Sequence, residues 1–180
     1  MMPIHTPQYS SAIARPSAAI GRPTPDRSAV LPQVYLHPGQ MHATAEACAL
    51  ATVLGSCVAV CLFDASRRIG GMNHFLLPDD MGDESVAGRY GPSATEQLLD
   101  RMFALGARAE TMTARIVGGA NVLSAFKVNP PLGTRNAQVA TEVLVAAGVL
   151  VTAQDVGGEH GRKLVFSPRD GITWIKLLGR

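Results

Sequence analysis

The chain has 180 residues, of which 47% are hydrophobic and 17% charged, so it fits one ordinary globular domain rather than a disordered or fibrous protein. Its formal net charge of +2 comes from residues 1–33, which hold three arginines and one aspartate. Residues 34–180 hold 13 basic and 13 acidic groups and have no net charge. A neutral body gives no electrostatic basis for nucleic-acid binding, which we therefore do not expect.

Residues 1–32 contain mainly Pro, Ser, Thr and Arg around isolated apolar residues, with no period that would bury a face. We predict a disordered arm, and the segment also lacks the continuous apolar core of a secretory signal. Residues 33–180 are predicted to form a single domain large enough to fold without disulfides. The three cysteines are an odd number in a chain without a secretory signal, which favours free thiols and a cytoplasmic location.

The first predicted elements are strands. A short strand at residues 34–37 ends at Pro38-Gly39, and the uncharged residues 47–63 follow. Those seventeen residues are fewer than the roughly 20 that a membrane span needs, and Gly55-Ser56 interrupts them. We therefore predict two buried strands joined by a turn, and no membrane insertion.

The next elements are a hairpin and a helix. The apolar runs 57–63 and 69–77, joined by the polar residues 64–68, predict a hairpin, and the acidic residues 79–91 predict an exposed loop. Ser93 and Glu96 have the spacing of a capping box. A helix should follow, with its apolar stripe formed by Leu98, Leu99, Met102, Phe103 and Leu105.

The apolar pattern in the second half of the chain predicts one more helix, between strands. A strand at residues 112–117 ends in Gly118-Gly119, and a helix at 134–147 follows. Three further strands are expected at 149–154, 164–166 and 172–178. Two amphipathic helices must then cover one face of a sheet, so the predicted class is α+β, built in layers.

One candidate site combines a cysteine with a histidine. Cys57 directly follows the Gly55-Ser56 turn, where its sulfur can be exposed beside the main-chain N–H groups that a nucleophile attacking a carbonyl needs. His74 lies on the neighbouring strand of the hairpin, within reach of the thiol as a base. The alternatives are a cysteine packed in the core and a buried, hydrogen-bonded histidine.

Two polar residues lie close to this pair. Thr52 can supply a hydroxyl that orients the imidazole, or it is an ordinary β-branched strand residue. Asn73 alternates to the other face of its strand and is the weaker candidate.

Three other patterns favour structural interpretations. His37 and His42, with Cys48 nearby, match no strong zinc spacing. Asp79, Asp80, Asp83 and Glu84 are more typical of a solvated loop than of a calcium site. Gly118 and Gly119 lack the spacing of a phosphate-binding loop.

Several segments in order resemble one family. LGSCVAVCLFD followed by GGMNHFLLPD is similar to the signature of the chemoreceptor glutamine deamidases of the CheD family. The likeness continues through GRYGPSATEQLL, ARIVGGANVL, LGTRNAQVATEVL and VTAQDVGGEHGRKLVFSPRDG, over about residues 34–178. It implies a three-layer α/β/β sandwich of mixed sheets with two main helices, related to the deamidating toxins. It also implies hydrolysis of chemoreceptor glutamine side chains to glutamate, with release of ammonia.

The resemblance also implies roles for particular residues. Cys57 and His74 fall on the family's nucleophile and base, and main-chain groups near Gly55 and Ser56 would hold the oxyanion. No metal or organic cofactor is required. In some members of the family the third catalytic residue is a threonine six positions before the cysteine, where this chain has Ala51. Because a shift of one residue along a strand turns a side chain to the other face, we expect Thr52 to contribute less than the other two.

Two other functions remain as alternatives. Family members also associate with a chemotaxis phosphatase of the CheC type, so the chain could be a weakly catalytic binding module that regulates such a partner. Some members hydrolyse receptor glutamate methyl esters. The expected substrates are the cytoplasmic helices of chemoreceptors.

Overall fold

The structure is a computed structural model, which describes residues 31–79, 88–121 and 130–179. The predicted arm lies outside these residues except for Leu31 and Pro32, and most of the predicted acidic loop lies outside them too. The division into an arm and a domain therefore stays a prediction.

Two α-helices and nine strands are present in the described part of the chain, with a short 3-10 helix at Ala109–Thr111. The predicted hairpin is confirmed, although its second strand ends at Asn73 rather than at residue 77. The elements are β1 (Gln33–Tyr35), β2 (Met41–Thr44), β3 (Ala49–Leu54), β4 (Val58–Asp64), β5 (Ile69–Asn73), α1 (Gly91–Ala104), β6 (Met112–Gly118), α2 (Leu132–Ala146), β7 (Leu150–Val156), β8 (Arg162–Ser167) and β9 (Ile172–Leu177).

The strands form two mixed sheets. The first sheet has the order β1-β3-β8-β9, and the second sheet has the order β2-β5-β4-β6-β7. β1 is parallel to β3 and β6 is parallel to β7, whereas every other neighbouring pair is antiparallel. β3 and β4 are consecutive but belong to different sheets, so the Gly55-Ser56 turn carries the chain from the first sheet to the second.

Two apolar cores define three layers. Along β4, Val58, Val60 and Leu62 face the helices and pack with residues of α1 and α2. The alternating residues Ala59 and Cys61 instead pack in the core that includes Leu50, Leu54, Leu164 and Phe166 of the first sheet. The predicted α+β class is confirmed, with the layers in the order helices, second sheet, first sheet.

The start of α1 differs from the prediction. The helix is capped at Tyr90, without a side-chain cap bond, and Pro92 lies in its first turn. Proline suits that position because its missing N–H would have no partner inside the helix. The expected capping box of Ser93 and Glu96 is therefore wrong, because Ser93 already lies within the helix.

The predicted apolar stripe of α1 is only partly buried. Leu98, Leu99 and Met102 lie in the core, as expected. Phe103 and Leu105 are exposed instead. Leu105 lies after the last residue of the helix, at its C-cap. Among the described residues, no helix is long and apolar enough to cross a membrane.

Candidate active site

Cys57 lies at the point where the chain enters the second sheet. It follows the turn that leaves β3 and precedes β4, and its side chain is half-buried. The neighbouring Val58 exchanges two main-chain hydrogen bonds with Phe75, at 3.1 and 3.0 Å. That bridge extends the β4–β5 ladder beyond β5 and fixes the register of Cys57.

His74 faces the same side of the second sheet as Cys57. The register of the ladder places Ala59 opposite His74 and Leu76 opposite Cys57, so the two side chains are diagonal neighbours on the face turned toward the first sheet. The main chain of His74 is held on its other edge, where its N–H donates to Gln40 and its carbonyl accepts from Gly39. His74 is almost completely buried, with 2% of its surface exposed.

Thr52 reaches His74 from the first sheet. Its Oγ1 lies 2.8 Å from Nδ1 of His74 and donates a hydrogen bond to the carbonyl of Leu36 at 2.8 Å. The same carbonyl lies 3.3 Å from Nδ1. Thr52 is fully buried and faces the second sheet, as Leu50 and Leu54 do. The expectation that its register would turn it away from the site is wrong.

These contacts define the tautomer of His74. The Leu36 carbonyl can only accept a hydrogen bond, and the Thr52 hydroxyl already gives its proton to that carbonyl. We therefore assign the ring proton of the neutral imidazole to Nδ1, which donates it to these oxygens. Nε2 then holds the free lone pair, and it is buried without a hydrogen-bond partner among the described residues. The imidazole is thus oriented as a base, with Nε2 as its basic atom.

Burial shifts the pKa of each side chain in the direction that favours its neutral form. It raises the pKa of the Cys57 thiol above its ordinary 9.0, and the residue's own main-chain N–H, which would favour a negative charge on the sulfur, opposes the rise. Burial also lowers the pKa of His74 below its ordinary 6.5; the bond to Leu36 opposes this shift and His37 adds to it. Both shifts favour a neutral thiol and a neutral imidazole in the resting pair.

The turn before Cys57 is held by its carbonyl groups. The carbonyl of Gly55 accepts from the N–H of Ala120 at 2.8 Å, and that of Cys57 accepts from the N–H of Gly119 at 2.8 Å. The carbonyl of Ser56 accepts from a side chain, Nδ2 of Asn136, at 3.0 Å. Three successive peptide groups are therefore fixed against the body of the protein.

The Gly118-Gly119 pair is a tight turn, as the sequence predicts, but it also lies against the site. Both glycines have positive φ, +116° and +62°, which other residues rarely adopt. A Cβ at Gly118 would collide with the carbonyl of Cys57, and one at Gly119 would collide with that of Gly133 at the start of α2. Glycine is needed here because three main-chain segments meet without room for side chains.

Asn136 and the Leu36 carbonyl are the two groups that the sequence analysis missed. A main-chain carbonyl has no sequence signal. Asn136 does have one, because it occupies the apolar stripe of α2, where a polar residue is unusual. The stripe consists of Gly133, Asn136, Ala137, Ala140 and Leu144.

The remaining candidates lie apart from this site. Cys48 is buried, Asn73 faces the helices and bonds Val60 and Ala94, and Asp79 pairs with Arg135. Asp80, Asp83 and Glu84 lie outside the described residues. Within the described ranges, no cluster of three or more His, Cys, Asp or Glu side chains has a geometry that could hold a metal.

Most of the chain is similar in sequence to known proteins. The family described as CheD chemotactic sensory transduction matches residues 76–177. A protein of Anaeromyxobacter dehalogenans named probable chemoreceptor glutamine deamidase CheD 1 is 48% identical over 146 residues, 81% of this chain and 85% of that protein. A probable chemoreceptor glutamine deamidase CheD of Trichlorobacter lovleyi is 44% identical, covering 81% of this chain and 89% of that protein.

The family match covers more than half of the chain, and the relatives are aligned over most of their own length. The chain is therefore a protein of chemotactic sensory transduction. It belongs to the CheD family, and the resemblance seen in its sequence is confirmed.

Proposed function

We propose that the protein hydrolyses side-chain amides of chemoreceptor glutamines to glutamate, with Cys57 as the nucleophile and His74 as the base. The observation that carries this proposal is the orientation of His74. Thr52 and Leu36 occupy Nδ1, so the basic Nε2 is left on the face that also carries the Cys57 side chain. The names of the two relatives supply the substrate class.

The first half of the reaction forms a thioester. Nε2 of His74 takes the proton of the Cys57 thiol as the sulfur attacks the amide carbon of glutamine. The main-chain N–H groups of Ser56 and Cys57 stabilise the negative charge that develops on the amide oxygen. The imidazolium then gives its proton to the amide nitrogen, and ammonia leaves.

The second half releases the product. Nε2 of His74 accepts a proton from water, which attacks the thioester carbon, and the proton returns to the Cys57 sulfur as the bond breaks. Thiol and imidazole are both neutral again, as in the resting pair. The receptor gains one negative charge for each glutamine converted, which changes the repulsion between neighbouring acidic side chains on its helices.

The substrate would be a helical surface of the receptor in the cytoplasm. The protein would act there on a few glutamines rather than on glutamines in general, because the half-buried thiol admits only exposed side chains. The same attack on a glutamate methyl ester would release methanol, so an esterase activity at this site requires no further group.

The test is incubation of the protein with cytoplasmic fragments of the chemoreceptors of its own organism, followed by peptide mass spectrometry. We expect conversion of a few helix-surface glutamines to glutamate. The matched control is Cys57→Ala, which should leave the thermal melt nearly unchanged and abolish conversion, because one half-buried sulfur is lost.

No conversion across the full receptor set by the folded protein would overturn the proposed reaction. Stable binding to a phosphatase of the CheC type in that case would support the binding-module alternative. Methanol release from methylated receptors, without conversion of glutamine, would instead make the protein an esterase.

A further inference from the structure

Among the described residues, Asn136 is the one side chain that hydrogen-bonds the turn before the nucleophile. Its Nδ2 donates to the carbonyl of Ser56 at 3.0 Å and to that of Leu76 at 2.8 Å. Leu76 is opposite Cys57 in the extended ladder. One amide group on α2 therefore ties the nucleophile's turn to the strand extension that carries His74.

The direction of these bonds determines the direction of the Cys57 N–H. In a trans peptide the carbonyl of one residue and the N–H of the next point in opposite directions. The Ser56 carbonyl points to α2, on the helix side of the second sheet. The N–H of Cys57 belongs to the same peptide and must point to the opposite side, where the side chains of Cys57 and His74 lie.

The neighbouring peptides are held by the main chain alone. Ala120 and Gly119 bond the carbonyls of Gly55 and Cys57, and these bonds involve no side chain that a substitution could remove. The peptide between Ser56 and Cys57 has no such main-chain donor among the described residues. Its orientation depends on Asn136.

Asn136 occupies its position at a cost in stability. It is completely buried in an apolar stripe, and its Oδ1 has no hydrogen-bond partner among the described residues. A buried polar atom without a partner destabilises the folded state, and an apolar side chain would fill the space without that cost. An apolar residue, however, would leave the Ser56 and Leu76 carbonyls without their donor.

We propose that Asn136 is a positioning residue, whose amide fixes the Ser56–Cys57 peptide so that the Cys57 N–H faces the reacting carbonyl as an oxyanion donor. This role rests on the proposed Cys57 chemistry. The hydrogen bonds that Asn136 donates go to the Ser56 and Leu76 carbonyls and not to the sulfur or His74, so it would act on the transition state through the peptide. Removing it should impair reactions that form an oxyanion and leave other reactions of the thiol intact.

Two reagents for Cys57 separate these effects without any receptor. p-Nitrophenyl acetate transfers its acetyl group to the sulfur and releases p-nitrophenolate, through a tetrahedral oxyanion. Iodoacetamide alkylates the same sulfur by displacing iodide and forms no oxyanion. The rate of each reaction at Cys57 is followed by peptide mass spectrometry, and Cys57→Ala gives the background.

The variants are Asn136→Leu, which has a similar size and no donor, and Asn136→Ala, in case the larger residue prevents folding. We expect either folded variant to slow acetylation of Cys57 by about 10- to 100-fold, the effect of a mispositioned catalytic group. Alkylation should be essentially unchanged. Leu144→Ala, a cavity variant on the same helix, should lower the melting temperature and leave both rates unchanged.

Equal slowing of both reactions would overturn the proposal, because Asn136 would then act on the thiol or on the fold in general. Unchanged acetylation would overturn it as well. With receptor as substrate, the Asn136 variants should lower kcat and leave KM near its original value. A wild type that is acetylated at Cys57 but converts no receptor glutamine would contradict the proposed substrate and not the role of Asn136.

Discussion

The hydroxyl oxygen of Thr52, in the first sheet, lies 2.8 Å from Nδ1 of His74, in the second sheet. The imidazole is therefore oriented by a residue from the layer opposite its own. Leu36, the residue that follows β1, supplies the second acceptor. The candidate site depends on how the two sheets pack, since neither sheet alone places all of these groups.

Removing the Thr52 hydroxyl should slow the reaction without creating a cavity in the core. Thr52→Val keeps the β-branched shape and removes the bonds to His74 and Leu36, so the ring keeps only the Leu36 carbonyl as a partner of Nδ1 and is held less firmly. We expect kcat to fall about 10- to 100-fold, less than for Cys57→Ala, because a neutral hydroxyl orients the imidazole without sharing its charge. Thr52→Ser keeps the hydroxyl and should retain most of the activity. Equal activities of the Val and Ser variants would contradict this role.

The pH dependence of the reaction follows from the neutral pair. Burial lowers the pKa of His74, so the base is lost to protonation only below its ordinary 6.5. Burial raises the pKa of Cys57, so the proton that the leaving ammonia needs is lost only above about 9. We expect kcat/KM to be flat between these limits and to fall on both sides. A fall that begins at pH 7 on the alkaline side would indicate a resting thiolate–imidazolium pair instead.

The position of Thr52 shows what the sequence could predict here and what it could not. The predicted hairpin puts His74 on the strand next to Cys57, and alternation along that strand turns Asn73 away, as the structure has both residues. Alternation failed for Thr52 because its face was inferred from its distance in sequence to Cys57, and the Gly55-Ser56 turn lies between the two residues. The chain changes sheets at that turn, so the face of Thr52 is set by Leu50 and Leu54 and not by its distance from Cys57.

The sequence predicts elements that have a local pattern, and it does not predict those that are held by contacts between distant segments. The hairpin has a local pattern, two apolar runs around a polar turn, and was predicted. β2 has no such pattern, because its four residues are all half-buried and it forms an edge of the second sheet. The Leu36 carbonyl carries no sequence information at all, since every residue has one.

The three cysteines should differ in reactivity because of their surroundings. Burial raises the pKa of all three thiols, to about 12 for the fully buried Cys61, and Glu46 adds to the effect of burial at Cys48. Cys57 is half-buried, and its own main-chain N–H opposes the effect of burial on its pKa. With limiting iodoacetamide, Cys57 should be alkylated well before the other two in the native protein. His74→Ala should slow that reaction, and denaturation should make the three rates similar. Preferential labelling of Cys48 would remove the chemical basis for Cys57 as nucleophile.

The last prediction concerns stability in acid and the buried Asp64 at the end of β4. Burial alone would raise the pKa of this carboxyl, but hydrogen bonds from Ser66, Arg108, Thr111 and Arg67 lower it from 3.8 to about 2. A carboxyl whose pKa is lower in the folded state stabilises that state above its unfolded pKa. The contribution, about 2 kcal/mol, is lost as the pH falls from about 4 to about 2.

The test is the free energy of unfolding of the wild type and of Asp64→Asn, measured in urea between pH 7 and pH 2. At pH 7 the variant should be less stable by about 2 kcal/mol or more, because its amide nitrogen replaces an acceptor that faces N–H and O–H donors. The difference should stay constant down to about pH 4 and shrink below it, since only the wild type has the carboxyl that titrates. Comparing the two proteins cancels the titration of all other carboxyls. A difference that does not change with pH would show that Asp64 stabilises the fold through its shape and not through its charge.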